Sequence, residues 1–476
     1  MRYKSLIRCK GCSNQLTSFI PTAREDYLSM NKQSQKSQLL STTAIKSYSA
    51  VTTSTQQPPE SADPLSQAIA LHEAGNLDSA ETMYRTLLAS TPKHANILKL
   101  LGTLLFERGN PEEGLQLIEK AIAIKPDYAE AHYDRGVALM NLAKYHDALE
   151  SFEKTITFKP EFAEAYWNKS LLKLLLGEYL EGWELYEWRW KRNGQDSSAR
   201  LFQKPLWTSN ELQKNKTILI HAEQGFGDTL QFCRYIPMVA RTHKVIFACF
   251  GALSSLMKYN FPEVEVVASD SPGINIIPEY DYHIPLMSLP HVFGTTLETV
   301  PFDSYLRAQP EFIKKWQRIL NEKPDQSPRI GLCWAGKKRS DRAGCESIDA
   351  RRSLHFKQIK PLLSIKNTSF VSLQLGPSND EIDDEKVRNI SAQLENWSDT
   401  AAVISLLDMV ISVDTSVCHL AAAMGKKTFL LNRYDTCWRW LLDRDDSPWY
   451  PSLTQFRQKT SGDWTEVIER VKKALL

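Results

Sequence analysis

The sequence predicts a multidomain α + α/β protein, in which a stack of helical hairpins precedes two parallel α/β halves facing one another across a cleft. Two observations carry this. Small residues and prolines recur every 34 residues between about positions 61 and 190, the mark of a helical repeat array. From about Lys214 onward, short β-branched runs alternate with helical segments in two successive series, the punctuation of parallel βαβ units.

The repeat array rests on several residues at one spacing. Pro92, Pro126 and Pro160 lie 34 residues apart, as do Ala80, Gly114, Ala148 and Gly182. Gly102 and Gly136 follow the same period. Gly75, Gly109 and Gly177 mark the turn inside each hairpin, with Ala143 standing once in their place. Small residues let two helices approach closely, and a proline ends the second one. The segment AEAHYDRGVALMNLAKYHDALESFEKTITFKP resembles the tetratricopeptide repeat at its Gly, Ala, Phe and Pro positions. Four hairpins follow, implying a module that binds another protein. The fourth ends in aromatics: Trp183, Tyr186, Trp188 and Trp190 either pack the stack against the next domain or form a platform for sugar.

The α/β region opens with TILIH, KVIFACF and VEVVAS. A helix and a polar linker follow, and RIGLCWAG, TSFVSLQLG, MVISVD and KTFLLN form a second series. Two Rossmann-like halves joined near residue 325 fit this order, with ligand expected beyond the carboxyl ends of the strands. The expected divisions are a disordered tail over residues 1–60, repeats over 61–196, a first half over 197–325 and a second over 326–476.

Composition narrows the function. The chain has 476 residues, 42% hydrophobic and 10% aromatic, enough for a large core. Its net charge is +2, and residues 1–60 hold eight Lys/Arg against three Asp/Glu, leaving 50 basic and 53 acidic residues elsewhere. That balance disfavours nucleic acid as a partner. No apolar run of about 18 residues is present, so neither a membrane span nor a secretion signal is expected. The eight Cys are widely spaced, which fits a reducing cytoplasm. Cys9 and Cys12 form one CxxC without a second half, so a zinc site competes poorly with a disordered tail. That acid-poor tail also has the character of a transit peptide, and Met30 is an alternative start.

Chemistry is expected at two turns. In the first, HAEQGFGDTLQ, a strand ends and a helix starts at about Asp228. Gly225 and Gly227 allow close approach of the backbone. The turn lacks the Lys-Ser/Thr of a phosphate loop and a full GxGxxG, and Asp228 reads equally well as a helix cap. The second, MVISVDTSVCHLAAAMGKKTFLL, places Asp414, Thr415 and Ser416 between a strand and a short helix that carries His419. Hydroxyls and unpaired N–H groups at a helix start suit a diphosphate. Ordinary capping explains the turn but leaves His419 without a purpose.

Together the two turns resemble the family 9 glycosyltransferases, the heptosyltransferase-like group of the GT-B fold. EQGFGDTLQFCRYIP, GLCWAG, VSLQLG, ISVDTSVCHLAAAMGK and WRWLLDRDDSPWYPS, behind a repeat array, are similar to bacterial tetratricopeptide proteins carrying such a domain. The resemblance implies a catalytic base at Asp228, an acceptor-side loop of Glu223, Gln224, Gly225 and Gly227, and donor contacts from Asp414, Thr415, Ser416 and His419. Many members have glycine where this chain has Ser416. The basic loop after Gly336 would add Lys337 and Arg352 against the leaving charge, although any one cation there also reads as a solvated surface charge. Gln374 and Trp438 are lesser candidates for nucleotide or sugar contact. Asp443 and Asp445 read as surface residues, and no metal or cofactor is expected beyond the nucleotide-sugar donor.

The expected activity is transfer of a sugar from a nucleotide-sugar to an acceptor chosen by the repeats, with inversion, in the cytoplasm. Glycosyl transfer needs a proton removed from the acceptor oxygen and a stabilised diphosphate leaving group. A carboxylate near a helix start is a modest base, which suffices if the proton moves late. The rival expectation is a repeat-based adaptor whose transferase-like domain is inactive.

Overall fold

The computed structural model describes residues 63–192, 202–208, 215–268, 277–321, 327–337 and 345–476. The expectations for residues 1–60, including Cys9, Cys12 and Met30, lie outside these, as do residues 338–344 of the basic loop after Lys337.

Eight helices form the four hairpins: α1 Pro64–Glu73 with α2 Leu77–Ser90, α3 Ala95–Glu107 with α4 Pro111–Ile124, α5 Ala129–Asn141 with α6 Tyr145–Phe158, and α7 Ala163–Leu175 with α8 Tyr179–Tyr186. The 34-residue period becomes geometry at the glycines. A Cβ on Gly102 would stand 2.7 Å from the carbonyl oxygen of Gly114, so α3 and α4 touch backbone to backbone there. Gly75, Gly109 and Gly177 all turn with φ near +80°. Ala143 takes the same left-handed turn at φ 58°, so the period imposes a conformation that its side chain disfavours.

The first α/β half contains β1 Thr217–His221, α9 Phe226–Phe232, α10 Ile236–Ala240, β2 Lys244–Cys249, α11 Gly251–Asn260, β3 Glu265–Ala268, β4 Tyr282–Pro285 and α12 Leu289–Val292. Its four strands are parallel, in the order β3-β2-β1-β4. A connecting helix α13, Pro310–Asn321, leads to the second half. This half contains β5 Arg329–Cys333, α14 Cys345–Arg352, α15 Phe356–Ile359, β6 Ser369–Ser372, β7 Val387–Asn389, α16 Trp397–Ser405, β8 Met409–Val413, α17 Ser416–Ala423, β9 Lys427–Asn432, β10 Leu453–Arg457 and α18 Trp464–Leu475. Its parallel sheet runs β10-β9-β8-β5-β6-β7. Strands β4, β7 and β10 join those read from the sequence.

In both sheets the chain builds outward on one side and then returns to the other, so strand order reverses between β1 and β4 and between β5 and β8. Such a reversal opens a crevice beyond the strand ends. The Glu223–Asp228 turn leaves β1, Gly336 and Lys337 follow β5, and Asp414–Ser416 follow β8. By chain order α13 precedes residue 325, yet it packs on the second half: Trp316 Nε1 and Lys315 Nζ both donate to Asp399 Oδ1 of α16, at 2.7 and 2.9 Å.

A continuous apolar core runs from the third hairpin, at Tyr133 and Phe152, through Trp183 into both α/β halves. A separate cluster around Ala68, Tyr84, Leu101 and Leu104 holds the first two hairpins. No helix among the described residues is long and apolar enough to cross a membrane.

Candidate functional site

The two motif turns meet. A Cβ on Gly227 would stand 3.1 Å from His419 Cδ2 and 3.7 Å from Ser416 Oγ. Glycine there lets α9 of the first half lie against α17 of the second, which brings the Asp228 turn to the Asp414–Ser416 turn.

Asp228 sits in the first turn of α9, which starts at Phe226 rather than at Asp228 itself. Its Oδ2 accepts the Gly225 N–H at 3.0 Å, so the capping role is filled. Its Oδ1 accepts from Arg439 Nη2 in a short ion pair. Arg439 Nε also donates to Gln231 Oε1 at 2.8 Å, and the guanidinium lies 4.3 Å from the centroid of the Trp438 ring. Burial works against the Arg439 charge, but Asp228, Cys437 and Tyr186 together overcome it and hold the cation above its ordinary range.

On the second half, Asp414, Thr415 and Ser416 are half-buried and His419 is buried. His419 Nδ1 lies 2.9 Å from the Tyr450 hydroxyl, Nε2 lies 3.6 Å from Asp414 Oδ1, and the ring stacks on Trp440. Burial raises the Asp414 carboxyl; the hydrogen bond from His419 and the charges of His419, Arg352 and Arg439 overcome it, so the group is held well below the usual carboxylate range. Thr415 Oγ1 lies 3.0 Å from Ser412 Oγ. Arg352 Nη1 donates to the Asp414 carbonyl at 3.3 Å, and Nη2 pairs with the buried Asp349 at 2.8 Å. Arg352, Asp414, His419 and Arg439 therefore form one polar cluster beside Asp228. Lys337 is exposed at the end of the described β5 loop.

Other residues singled out in the sequence have structural partners. Gln374 Oε1 accepts the N–H groups of Trp334 and Ala335, at 3.1 and 2.9 Å, while Nε2 donates to the carbonyls of Ala335 and Leu375 at 3.0 Å. That pattern ties the end of β6 to the end of β5. Trp438 is buried against Trp183, 5.3 Å between centroids, at the seam with the repeats. Asp443 and Asp445 are exposed.

The loop of Glu223 and Gln224 is gripped by the fourth hairpin. Glu223 receives a bidentate bond from the buried Arg189, at 2.9 and 2.8 Å, and Gln224 Nε2 donates to the Tyr186 hydroxyl at 2.8 Å. Burial opposes the Arg189 charge, and Glu187 and Glu223 more than offset it. Gln224 itself turns with φ 62°. Of the four aromatics of this hairpin, Trp183 and Tyr186 pack at the domain seam, whereas Trp188 stacks on Tyr166 within the repeats at 3.7 Å.

Two residues that sequence reasoning passed over hold the site together. Arg439 is one; its flanking tryptophans, in the run Trp438–Trp440, were the available signal. Arg234 is the other: it donates to the carbonyls of Pro301 and Trp449, at 2.7 and 2.8 Å, and to the Tyr305 hydroxyl at 2.9 Å, beneath the Tyr450 ring. It ties α9 to the segment that orients His419.

Comparison with known proteins agrees with this layout. Tetratricopeptide repeat models match residues 65–129 and 129–162, and the glycosyltransferase family 9 (heptosyltransferase) model matches residues 372–467. The chain carries tetratricopeptide repeats in its N-terminal region and a family 9 glycosyltransferase domain near its C-terminus. Asp414–His419 and Arg439 fall inside the matched residues; Asp228 lies outside them. Protein FlbA of Caulobacter vibrioides is 28% identical over 326 residues, 62% of this chain and 52% of that protein. The chain thus spans about half the length of the curated relative it matches. Among solved structures, MamA from Desulfovibrio magneticus is 20% identical, covering 29% of this chain and 77% of its own at a TM-score of 0.26. Pseudomonas aeruginosa PilF is 22% identical, covering 29% and 63% at a TM-score of 0.26.

Proposed function

We propose that this chain is a GT-B-type glycosyltransferase that moves a sugar from a nucleotide-sugar donor to a polypeptide acceptor brought in by the repeats, in a cytoplasmic setting. The observation that carries the reading is the approach of Gly227 to His419 and Ser416, which joins a carboxylate on one half to a helix start and cations on the other. The donor diphosphate would lie against the start of α17, beside His419 and Arg352. Backbone N–H groups, imidazole and guanidinium there offset charge as the sugar–phosphate bond breaks. The acceptor oxygen forms the new bond to the sugar carbon and gives its proton to Asp228. No cofactor or metal enters this scheme beyond the donor itself. Repeats bind proteins through stacked hairpins, and here the last hairpin grips the loop that carries Asp228.

A nucleotide-sugar screen with mass spectrometry of co-purifying proteins tests the reading. A sugar adduct on a protein, together with slow hydrolysis of one donor by the enzyme alone, is the expected result. Asp228→Ala should cut turnover by about 10² to 10⁴ fold, the usual worth of a general base. Undiminished turnover would remove Asp228 from the mechanism, and failure to bind any nucleoside diphosphate would favour an adaptor.

A further inference from the structure

We propose that Arg439 is an exchangeable counter-ion, paired with Asp228 when the site is empty and transferred to the donor diphosphate when it is filled, so that donor binding releases the base. This rests on the function proposed above.

Three observations place Arg439 at that exchange. It belongs to the second half, which holds the Asp414–Ser416 turn, yet its guanidinium bonds the Asp228 carboxylate of the first half. Its charge also reaches Asp414, at the helix start where the diphosphate is placed. The backbone beneath it is held on both sides: Trp438 packs on Trp183, and Trp440 is fully buried and stacks on His419. The side chain can therefore change partners by rotating while its backbone stays fixed. Guanidinium binds carboxylate and phosphate with the same forked geometry, so neither exchange partner needs a new kind of bond. A carboxylate held by this cation cannot take up the acceptor proton without giving up the pair. Moving the cation to the diphosphate frees the base and offsets one negative charge of the leaving group in one step.

If Asp228 and the diphosphate compete for one guanidinium, removing either competitor must change the other's binding, and the two effects must be coupled. The test is a double-mutant cycle read by calorimetric titration of the full-length protein with UDP, GDP, ADP and CDP, using whichever binds the unsubstituted protein most tightly. Arg439→Gln should weaken that nucleotide by about 10- to 100-fold, the loss of a charge-assisted bond, and Arg439→Lys should recover part of it. Asp228→Asn should bind it more tightly than the unsubstituted protein. In the Asp228→Asn/Arg439→Gln double variant that gain should vanish. Equal affinity in Arg439→Gln, with a melting temperature matching the parent, overturns the exchange while leaving the glycosyltransferase reading intact. A gain from Asp228→Asn that persists in the Arg439→Gln background also overturns it, because simple repulsion between Asp228 and the nucleotide then accounts for the effect. If Arg439→Gln does not fold, Arg439→Lys and Asp228→Asn complete the test: unchanged affinity in both overturns the proposal. Absence of binding by the unsubstituted protein overturns the proposal and the donor assignment together.

Discussion

Trp449 donates its indole N–H to the Tyr179 hydroxyl at 3.0 Å, binding the second α/β half to the fourth hairpin across 270 residues of sequence. Both side chains are buried, and Trp183 packs edge-on against Trp449, Trp438 and Phe232. The fourth hairpin is thus part of the core of the α/β region. Trp183→Ala should destabilise the whole chain from the third hairpin onward by about 3–5 kcal/mol, the range for emptying a large aromatic site. Urea unfolding followed by far-ultraviolet dichroism and by tryptophan fluorescence should show one coincident transition, shifted in this variant. Two separated transitions for repeats and α/β region would contradict a shared core.

The first two hairpins are held mainly by a buried cluster of their own, with Leu115 of the second packing against the larger core. Removing residues 63–124 should therefore leave a folded enzyme that still acts on a small acceptor but loses its native one. Extending the deletion to residue 186 removes Tyr179, Trp183 and Tyr186, and should abolish both. Donor hydrolysis and acceptor labelling, measured side by side for the two deletions, separate recognition from integrity.

His221, the last residue of β1, and His283, the second of β4, supply a pH dependence. Their rings stack on Phe202, and His221 Nε2 lies 3.4 Å from His283 Nδ1. Burial lowers His283 from 6.5 to about 4; burial first, then the charges of His283 and Arg189, holds His221 well below its ordinary value. Between these limits the unfolded chain binds more protons than the folded one, so stability rises with pH through the window and is lost as pH falls below about 6.5. Denaturation midpoints should drop between about pH 7 and about pH 5, and less steeply in His283→Gln. A midpoint flat over that range would show that neither imidazole is held neutral.

How much of this was legible differs by residue. The repeat period could be read because each hairpin repeats one local solution, and it places Ala143 at a glycine's turn position, where the structure shows φ 58°. The Asp414–His419 turn could be read because strand, turn and helix are contiguous. Arg439 could not, because its partner Asp228 lies 211 residues away in the other half, and only folding brings the two charges together. For Glu223 and Gln224 the resemblance implies an acceptor side; of their partners, Tyr186 belongs to the aromatic run that signals a domain seam, whereas Arg189 carries no such signal.

Gln374 and Gly336 provide the sharpest contrast between a residue that supports the site and one that shapes it. Gln374 satisfies two buried N–H groups at the end of β5, so Gln374→Ala should cost about 1–3 kcal/mol for each donor left unpaired. Its effect should appear in the melting temperature more than in donor affinity. Gly336 has an ordinary backbone conformation, but a Cβ there would stand 2.6 Å from Arg352 Nη2. Gly336→Ala must push Arg352 away from the Asp414 carbonyl that it holds. The donor KM should then rise by about tenfold, the loss of one bond to a charged group, with little change in melting temperature. If Gly336→Ala lowered stability and left donor KM unchanged, Arg352 would be a brace for the Asp414 turn and not a contact for the leaving group.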